Sequence, residues 1–364
     1  MKRLTRTLAG LLCVATCMGS LAGCQFQPAG DPTQPPTEPV VNISENYETR
    51  VDFGAKFEPK GNYILHIGGQ DTKGFNGYLE VTGKELAPTG TMTYISVHND
   101  YQNSYNHLKS LTENYNDYGY LSYQIGVHFN EDENPFATFY HELADGLKDK
   151  EFKELINIFK SLNRPVYCRP GFEFNGQWNG YTEPEVYKRA FIRFAELVEE
   201  CEADNIALLW CYNPDAKERD YMQYYPGDEY VDWWAIDIFR VGSMDMPNAK
   251  AFLEEAEFHE KPVMITEATP TGNNVSKGEG WEEWFVPFFQ FIRENPVIKG
   301  VCYINWNWQE YEKWKDWGNA RLDQAPVELV AKYREELSDC IYLHAQDKNS
   351  AIASLYDCRD YENP

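Results

Sequence analysis

Two glutamates follow apolar segments of the sequence that have the composition of buried strands. Glu173 lies in the sequence RPGFEFNG, directly after the apolar residues 165–168, and Glu267 ends a segment that begins KPVMIT at residue 261. Burying a charged side chain is unfavourable unless the charge is paired or meets a ligand. If both segments are strands of one barrel, their carboxyl ends place the two side chains across a shared pocket. Two carboxyl groups in that arrangement suit the cleavage of a glycosidic bond, one protonated and the other ionised.

The neighbours of the two glutamates predict different protonation states. Glu173 lies between Phe172 and Phe174, and an apolar environment raises the pKa of a carboxylic acid, which suits a proton donor. Arg169 is expected to pair with Glu267 and to keep it ionised as a nucleophile. Either glutamate alone would more simply be a solvated loop charge, but their matching positions favour a functional pair. The sequence leaves their separation open, and with it the choice between retention and inversion.

Aromatic residues are frequent at or just after the predicted strand ends. Sugar rings have apolar C–H faces that stack on aromatic side chains, and their hydroxyls bind to amides such as those of Asn175, Asn213 and Asn305. The aromatic candidates are Trp178, Trp210, Tyr212, Phe239, Trp306, Trp308, Trp314 and Trp317. We expect about half of them to contact a ligand and the others to pack.

Short apolar segments alternate with stretches of helical periodicity along most of the chain. The predicted strands are residues 63–67, 91–97, 121–127, 165–168, 206–211, 233–238, 262–266 and 300–304. The alternation predicts β/α units with a parallel sheet, and eight such units predict a protein of the α/β class with a single (β/α)8 TIM barrel. His66, His98 and His128 lie at the carboxyl ends of the first three predicted strands, so we expect them to line the floor of a polar pocket.

The helices between the strands have signals of uneven strength. Thr182, with Pro184 and Glu185 after it, predicts a capping box at a helix start. Regular apolar spacing predicts the other helices, at residues 136–147, 152–159, 281–292 and 327–337. The first helix, near residues 74–86, is poorly patterned and is expected to be short or partly loop.

Charge and cysteine content restrict the possible partners. The 364 residues carry a formal net charge of −24, so we expect no nucleic-acid partner, because no basic face is available to hold a phosphate backbone. The histidines are scattered and no cysteine pair has metal-ligand spacing, so we expect no metal and no cofactor. Cys340 and Cys358 are the cysteines best placed for a disulfide, and their state is left open.

Residues 1–23 have the features of a bacterial lipoprotein signal. A basic start precedes an apolar segment that is too short to span a bilayer, and the sequence LAGC at its end resembles a lipobox. Cleavage there would leave Cys24 as a lipidated amino terminus. The alternative is an ordinary secretory signal with an incidental cysteine.

The rest of the chain divides into three predicted parts. Residues 24–45 are a proline-rich spacer that cannot form a core, residues 46–340 are the barrel, and residues 341–364 are an extension packed on the barrel. We expect the spacer to hold the barrel away from a membrane surface. The chain is therefore predicted to be a monomer on the cell surface, anchored to the membrane by lipid and facing the extracellular side.

The motifs resemble glycoside hydrolase family 26, which includes β-mannanases, some β-1,3-xylanases and lichenase-type glucanases. The likeness covers most of residues 60–310. Family members carry the pattern Arg-Pro-x-His-Glu-x-Asn-Gly-x-Trp, and residues 169–178 of this sequence read RPGFEFNGQW. The resemblance implies that Glu173 is the acid/base and that Glu267, in a Lys-Pro-x-x-x-x-Glu context, is the nucleophile.

The resemblance also implies a set of substrate contacts at other strand ends. Trp210 and Tyr212 resemble the end of the fifth strand, Asp237 resembles the sixth, and Trp306 resembles the tryptophan under the cleaved sugar. The residues expected to bind substrate are Arg169, Phe172, Asn175, Trp178, Trp210, Tyr212, Phe239, Trp306, His66, His98 and His128.

Two positions depart from the family pattern. Phe172 stands where the family has a histidine, and Phe239 stands where a tyrosine contacts the nucleophile. The favoured hypothesis is a retaining, endo-acting glycoside hydrolase that cleaves a β-linked polysaccharide such as β-mannan, β-xylan or β-glucan by double displacement. A catalytically silent, glycan-binding surface lipoprotein is the alternative. A solute-binding lipoprotein of a transporter is disfavoured, because such proteins have two lobes.

Overall fold

The computed structural model describes residues 50–96, 101–113, 118, 121–130, 138–216 and 220–345. Eight parallel strands form a closed barrel in which each strand pairs with the next in the sequence, and β1 pairs with both β8 and β2. The strands are β1 (Ile64–Gly68), β2 (Gly90–Ser96), β3 (Ser122–His128), β4 (Val166–Pro170), β5 (Ile206–Tyr212), β6 (Trp233–Ile238), β7 (Val263–Ala268) and β8 (Ile298–Tyr303). The predicted (β/α)8 fold is confirmed.

Each strand is buried on both faces, which explains why the strands read as nearly continuous apolar segments. In β5, Leu209 and Cys211 face the barrel interior, whereas Leu208 and Trp210 pack in the layer between the strands and the helices. Successive residues of a strand point to opposite faces. The position of a residue along its strand therefore decides whether it can reach a site inside the barrel.

Helices surround the barrel in the described part of the chain. They are α1 (Asp71–Thr82), α2 (Tyr101–Glu113), α3 (Phe139–Ala144), α4 (Asp149–Ser161), α5 (Pro184–Glu200), α6 (Val241–Met244), α7 (Pro247–Phe258), α8 (Val286–Glu294) and α9 (Val327–Leu337). A π-helical turn, Trp281–Phe285, leads into α8. None of these helices combines the length and the apolar character needed to cross a bilayer.

Two expectations for the helices were wrong. The first helix is a regular helix of 12 residues, because Gly74, Phe75, Tyr78 and Leu79 bury one face of it. The capping box is absent: Glu183, in extended conformation, takes the N-cap position of α5 without a side-chain hydrogen bond, and Pro184 is the first helical residue. Proline is well suited to that position because its missing N–H has no partner within the helix.

The amino-terminal end of the barrel is closed by the residues before β1. The buried Lys299 pairs there with Asp52 and Glu58, and the Tyr167 hydroxyl donates to the carbonyl oxygen of Phe57. A short ninth strand, β9 (Tyr342–Leu343), pairs in parallel with β1. This end is therefore filled by packing, and the opposite end, where the strands finish, is left for the site.

Several predicted features lie outside the described residues. They are the signal at residues 1–23, Cys24, the spacer at residues 24–45, His98, Cys358 and the extension beyond residue 345.

Candidate active site

Glu173 lies in a tight turn that follows β4. Its φ of 48° is left-handed, which is uncommon for a residue other than glycine, and Gly171, two residues earlier, has a φ of 58°. A Cβ on Gly171 would lie 2.8 Å from the ring of Phe129 and 2.9 Å from that of Tyr187, so the turn passes close to neighbouring rings. Backbone strain of this kind is typical of positions whose side chain must be aimed in one direction.

The Glu173 carboxyl group is 7% exposed and accepts hydrogen bonds from two neutral donors. Trp178 Nε1 donates to Oε2 at 2.6 Å, and Asn213 Nδ2 donates to Oε1 at 2.5 Å. Asn213 is itself held by Asn175, which exchanges two hydrogen bonds with the Asn213 backbone. Burial, followed by the nearby charges of Asp237 and Glu267, raises the pKa of Glu173 well above its ordinary value. These surroundings favour the protonated form of Glu173.

Glu267 lies near the end of β7, is 6% exposed and meets a cation. Arg169 Nη1, at the end of β4, donates to Glu267 Oε1 at 2.7 Å. The Arg169 side chain is completely buried, and its Nη1 is also 3.5 Å from Asp237 Oδ2. The predicted pairing of Arg169 with Glu267 is confirmed. A buried ion pair of this geometry fixes the position of the carboxylate.

Asp237, on β6, is a third carboxyl group beneath the two glutamates. It is completely buried and accepts hydrogen bonds from Thr266 Oγ1 at 2.6 Å and from Cys211 Sγ at 3.2 Å. Burial, with the charge of Glu267 next, raises the pKa of Asp237 to about 7, and Arg169 opposes the shift. Asp237 and Glu267 thus share the Arg169 guanidinium, and one cation does not fully compensate two buried carboxyl groups.

Aromatic rings cover the Arg169 guanidinium. Its Cζ is 4.9 Å from the centroid of the Phe172 ring and 5.7 Å from that of Tyr94. The Phe172 ring also contacts His128 edge-on, with 4.7 Å between centroids. Cation–π contacts stabilise a buried guanidinium that has few polar partners.

A second group of aromatic residues continues from the ends of β6 and β8. Phe239 packs on Trp317 with 5.2 Å between centroids, and Trp317 packs on Trp308 at 5.1 Å. Trp306 stacks on Tyr311, which contacts Trp314 edge-on. Phe239 and Trp308 are buried, whereas Trp306, Trp314 and Trp317 are half-buried. The half-buried rings suit stacking against sugar rings.

The two glutamates are set for different tasks. Glu173 is a buried acid with neutral donors, and Glu267 is a carboxylate paired with a cation. That division matches a proton donor and a nucleophile. Among the described residues, no group of three or more His, Cys, Asp or Glu side chains is arranged to hold a metal ion.

Comparison with known proteins gives a family match for the central part of the chain. The family model described as "Glycosyl hydrolase family 26" matches residues 128–277, which span β3 to β7 and include Arg169, Glu173, Asp237 and Glu267. This segment of the chain therefore matches glycoside hydrolase family 26. The chain is a glycoside hydrolase with the two glutamates of the site inside the matched segment.

Two curated relatives match this chain over most of its length. A β-1,3-xylanase from Vibrio sp. is 27% identical over 330 residues, which cover 80% of this chain and 68% of the relative. A β-1,3-xylanase from Alcaligenes sp. is 26% identical over 343 residues, covering 84% and 70%. The solved structure of a β-mannanase from Bacteroides ovatus has a TM-score of 0.60 at 16% identity and covers 83% of this chain and 95% of that one. That likeness shows the shared fold.

The structure brings several of the predicted site residues together. Arg169 contacts Glu267, Trp178 contacts Glu173, and Phe172 lies between His128 and Arg169. Phe239 and Trp306 belong to the aromatic group on the other side. The rise in the pKa of Glu173 has the predicted direction but another cause. The apolar neighbour Phe174 stacks on Trp210, away from the site, and burial with two nearby carboxylates supplies the effect.

Trp210 and Tyr212 lie elsewhere than predicted. Trp210 is completely buried against Phe174, with 4.3 Å between parallel rings, and Tyr212 stacks on Phe252 of α7. Both belong to the layer between the barrel and the helices, because they occupy the outward-facing positions of β5. We correct the expectation that they contact substrate. The inward-facing Cys211 lies between them and reaches Asp237.

We also correct the expectation that His66 lines the pocket floor. Its Nε2 is 2.6 Å from the hydroxyl of Tyr78 on α1, and its ring contacts His344 edge-on. His66 is 1% exposed, and burial lowers its pKa well below the ordinary value. It is a neutral residue outside the barrel interior and forms no part of a pocket floor, whereas His128 does lie beside the site.

The amide side chains have structural partners. Asn175 braces the Asn213 backbone, and Asn305 donates to the carbonyl oxygen of Gly74 and accepts from the backbone N–H of Leu322. Asn213, which contacts Glu173 directly, is the amide that bears on the chemistry. For Asn175 and Asn305, direct hydrogen bonding to a sugar stays a prediction.

Tyr94, on β2, was not identified from the sequence. Its ring lies 5.7 Å from Arg169 Cζ and contacts the Phe172 ring, and burial together with the charge of Glu267 raises the pKa of Tyr94 well above its ordinary value. The alternation of side chains along β2 could have predicted its position. Met92 and Tyr94 alternate with outward-facing residues, so both point toward the barrel interior. Proximity to Glu267 depends on barrel closure between strands that are far apart in the sequence.

Proposed function

We propose that this chain is a retaining, endo-acting glycoside hydrolase that cleaves a β-linked polysaccharide by double displacement, with Glu173 as acid/base and Glu267 as nucleophile. The observation that carries the proposal is the unequal setting of two neighbouring, buried carboxyl groups whose charges interact. Glu173 has a raised pKa and accepts hydrogen bonds from neutral donors, whereas Glu267 is ion-paired with Arg169. The match to the family 26 model and the xylanase relatives support the same reaction class.

In the first step the Glu173 proton passes to the glycosidic oxygen while a Glu267 oxygen attacks the anomeric carbon. The C–O bond to the leaving sugar breaks, and a covalent glycosyl-enzyme forms on Glu267. In the second step ionised Glu173 takes a proton from water, and the water oxygen attacks the anomeric carbon. The ester to Glu267 breaks, and both glutamates return to their starting states with the sugar configuration retained.

The coupling between the glutamates suits this change of role. In the free enzyme the negative charge of Glu267 contributes to the raised pKa of Glu173. When Glu267 becomes an ester it loses that charge, so the pKa of Glu173 falls and the group becomes a better base. The same residue can thus be an acid in the first step and a base in the second.

The substrate proposal rests on the aromatic groups and the relatives. The half-buried Trp306, Trp314 and Trp317 provide faces for sugar rings. The two relatives that match most of the chain are named as β-1,3-xylanases, and the structural neighbour is a β-mannanase. We therefore propose β-1,3-xylan and β-mannan as the first substrates to test, with mixed-linkage β-glucan as the third.

The test is reducing-sugar release from these polysaccharides, combined with proton NMR of the first products. We expect hydrolysis of one polysaccharide, oligosaccharides of several lengths at early times, and a β-anomer that forms before mutarotation. Initial formation of the α-anomer would contradict double displacement. If wild type binds a polysaccharide in affinity electrophoresis but releases no sugar, the glycan-binding alternative replaces the hydrolase.

We also propose that the protein is a lipid-anchored monomer on the cell surface, with residues 1–23 removed and Cys24 acylated. The support is the apolar segment that ends in LAGC and the proline-rich spacer after it. The test is partition of the expressed full chain into detergent, with Cys24→Ser as the control variant. Wild type is expected in the detergent phase and the variant in the aqueous phase. Equal partition of the two would overturn the anchor.

A further inference from the structure

We propose that Gln124 is a positioning residue for the nucleophile: its side-chain amide donates to the carbonyl oxygen of Thr266 and holds the part of β7 that aims Glu267 into the barrel. This inference rests on the proposed function and adds a residue from β3, which lies across the barrel from β7. Gln124 acts through the backbone of β7 and is assigned neither a contact with substrate nor a proton-transfer step.

Strand β7 contains an irregularity directly before Glu267. In its register with β6, Ile265 pairs with Ile236 and Glu267 pairs with Asp237, so Thr266 is an extra residue between two paired ones. The register with β8 shifts over the same stretch. An extra residue on one strand of a pair is a β-bulge, and bulges next to active sites often change the direction of a side chain. Residues 265–267 are therefore called the β7 bulge.

The β7 bulge turns Glu267 toward the barrel interior. Met264 and Thr266 both face the interior, so strict alternation would turn Glu267 toward the helices. Instead, Arg169 Nη1 is 3.5 Å from Thr266 Oγ1 and 2.7 Å from Glu267 Oε1. The next residue, Ala268, packs in the outer layer. Two consecutive side chains therefore face the site, and the direction of the nucleophile depends on the extra residue.

Hydrogen bonds to two other strands hold the β7 bulge. Gln124 Nε2 donates to the carbonyl oxygen of Thr266 at 3.0 Å, across the barrel interior. The Thr266 hydroxyl donates to Asp237 Oδ1 of β6 at 2.6 Å. Gln124, Thr266 and Asp237 are all completely buried, so both bonds are shielded from solvent. Attachment of the extra residue at its backbone and at its side chain leaves Glu267 little freedom to change direction.

The Gln124 side chain is an unfavourable choice if it only fills space. Its Oε1 has no hydrogen-bond partner among the described residues, although the amide is completely buried. A buried polar atom without a partner lowers stability, so a side chain that only filled this space would be better apolar. The part of Gln124 that has a partner is its donor, and that partner is the carbonyl oxygen in the β7 bulge.

The first test compares Gln124→Met with Tyr167→Phe. Both substitutions keep the approximate size of a buried side chain and remove a donor to a backbone carbonyl oxygen, but the partner of Tyr167 is Phe57, at the closed end of the barrel. On the polysaccharide that wild type hydrolyses, we expect Gln124→Met to lower kcat about 10- to 100-fold with KM nearly unchanged, because a small displacement of a reacting group is costly in rate. Tyr167→Phe should keep the wild-type kcat.

A second measurement separates the nucleophile from the acid. A dinitrophenyl glycoside of the active sugar needs no proton from Glu173, so the release of dinitrophenolate in stopped-flow experiments reports attack by Glu267. Gln124→Met should slow this release by about the same factor as it lowers kcat. Release at the wild-type rate, or an equal loss of kcat in Tyr167→Phe, would overturn the role of Gln124 in positioning the nucleophile.

Hydrogen–deuterium exchange tests the contact without using activity. We expect the backbone amides of residues 264–268 to exchange about tenfold faster in Gln124→Met than in wild type, because one hydrogen bond that holds the β7 bulge is lost. Exchange in this segment should not change in Tyr167→Phe. If wild type hydrolyses nothing, the proposed function fails while this measurement still decides whether Gln124 holds the β7 bulge. Unchanged exchange in folded Gln124→Met would show that it does not.

A further variant covers the case in which Gln124→Met does not fold. Gln124→Asn keeps a buried amide but is one methylene group shorter, so its donor no longer reaches Thr266. We expect a lower kcat, slower dinitrophenolate release and faster exchange of residues 264–268, with the circular dichroism of wild type. Wild-type kcat and exchange in folded Gln124→Asn would contradict the claim that the length of this side chain sets the position of the β7 bulge.

Discussion

The surroundings of Glu173 and of Glu267 differ in one respect that assigns their roles. The two side chains are almost equally buried, at 7% and 6% exposed. Glu173 accepts hydrogen bonds from the neutral Trp178 and Asn213, whereas Glu267 accepts from the cationic Arg169. Burial alone would favour the protonated form of both groups. The charge of the donors, and not the depth of burial, separates an acid from a nucleophile in this site.

Asp237 and Arg169 connect the two regions. Arg169 contacts both Asp237 and Glu267, and the charges of both carboxyl groups add to the raised pKa of Glu173. The guanidinium therefore stabilises the negative charge on Glu267. The negative charge of Asp237 and Glu267 that Arg169 does not neutralise raises the pKa of Glu173. A substitution in the surroundings of one glutamate should therefore have a measurable effect on the other.

The largest expected effect is the loss of the nucleophile. Glu267→Ala should lower kcat by about four orders of magnitude or more, because no covalent intermediate forms. Added azide should enter the space left by the carboxylate and attack the anomeric carbon directly. The glycosyl azide should then have the configuration opposite to the substrate, as seen by NMR. A product of retained configuration would reverse the roles assigned to the two glutamates.

Loss of the acid should depend on the leaving group. Glu173→Ala should lower kcat on polysaccharide by about 10²- to 10⁴-fold, because the leaving oxygen is no longer protonated. On a dinitrophenyl glycoside of the active sugar, whose leaving group needs no proton, bond cleavage should be nearly as fast as in wild type. The measurement is burst kinetics on that substrate. Equal loss on both substrates would contradict the role of Glu173 as proton donor.

A smaller change should move the basic limb of the pH profile upward. Trp178→Phe removes the N–H that donates to Glu173 Oε2 and that lowers the pKa of Glu173. The ionised form is then less stable, the pKa of Glu173 rises, and the protonated enzyme persists to higher pH. We expect kcat/KM to fall about tenfold at the optimum and its basic limb to shift to higher pH. The profile is measured with Trp281→Phe, which lies in the π-helical turn before α8, as the matched control.

The smallest change should move the same limb in the opposite direction. Asp237→Asn removes a negative charge that raises the pKa of Glu173. The pKa of Glu173 should therefore fall, and activity should be lost at lower pH than in wild type. The Thr266 hydroxyl can still donate to the amide oxygen that this substitution introduces, so folding is expected to persist, as checked by thermal unfolding. A basic limb that moves upward, or stays fixed in both variants, would break the link between Asp237 and Glu173.

Much of this architecture follows from local pattern. The predicted strands differ from the observed ones by no more than a few residues, because strands buried on both faces give short apolar segments with clear ends. Arg169, Glu173 and Trp178 lie within ten residues of each other, so a single turn brings them together. For that reason the sequence motif alone was enough to predict that these three residues lie close together.

The predictions from the sequence were wrong where a contact depends on which face of a strand a residue occupies, or on residues that are far apart in the chain. Trp210 and Tyr212 end an apolar strand in the same way as true site residues, but they face the helices. His66 finds its partner on α1 and not in the pocket. A strand's composition predicts burial, yet when both faces are buried it does not say which face borders the site.

The sequence by itself determined the eight-unit barrel, the two glutamates and the pairing of Arg169 with Glu267, since each depends on strand pattern or on residues at strand ends. Only the tertiary structure decided that the Tyr94 ring lies beside Arg169, that Asp237 shares Arg169 with Glu267, and that neutral donors contact Glu173. Those contacts join strands far apart in the chain, and barrel closure sets the distances between them. Electrostatic coupling depends on these distances, so the protonation states of the site became readable only in the folded molecule.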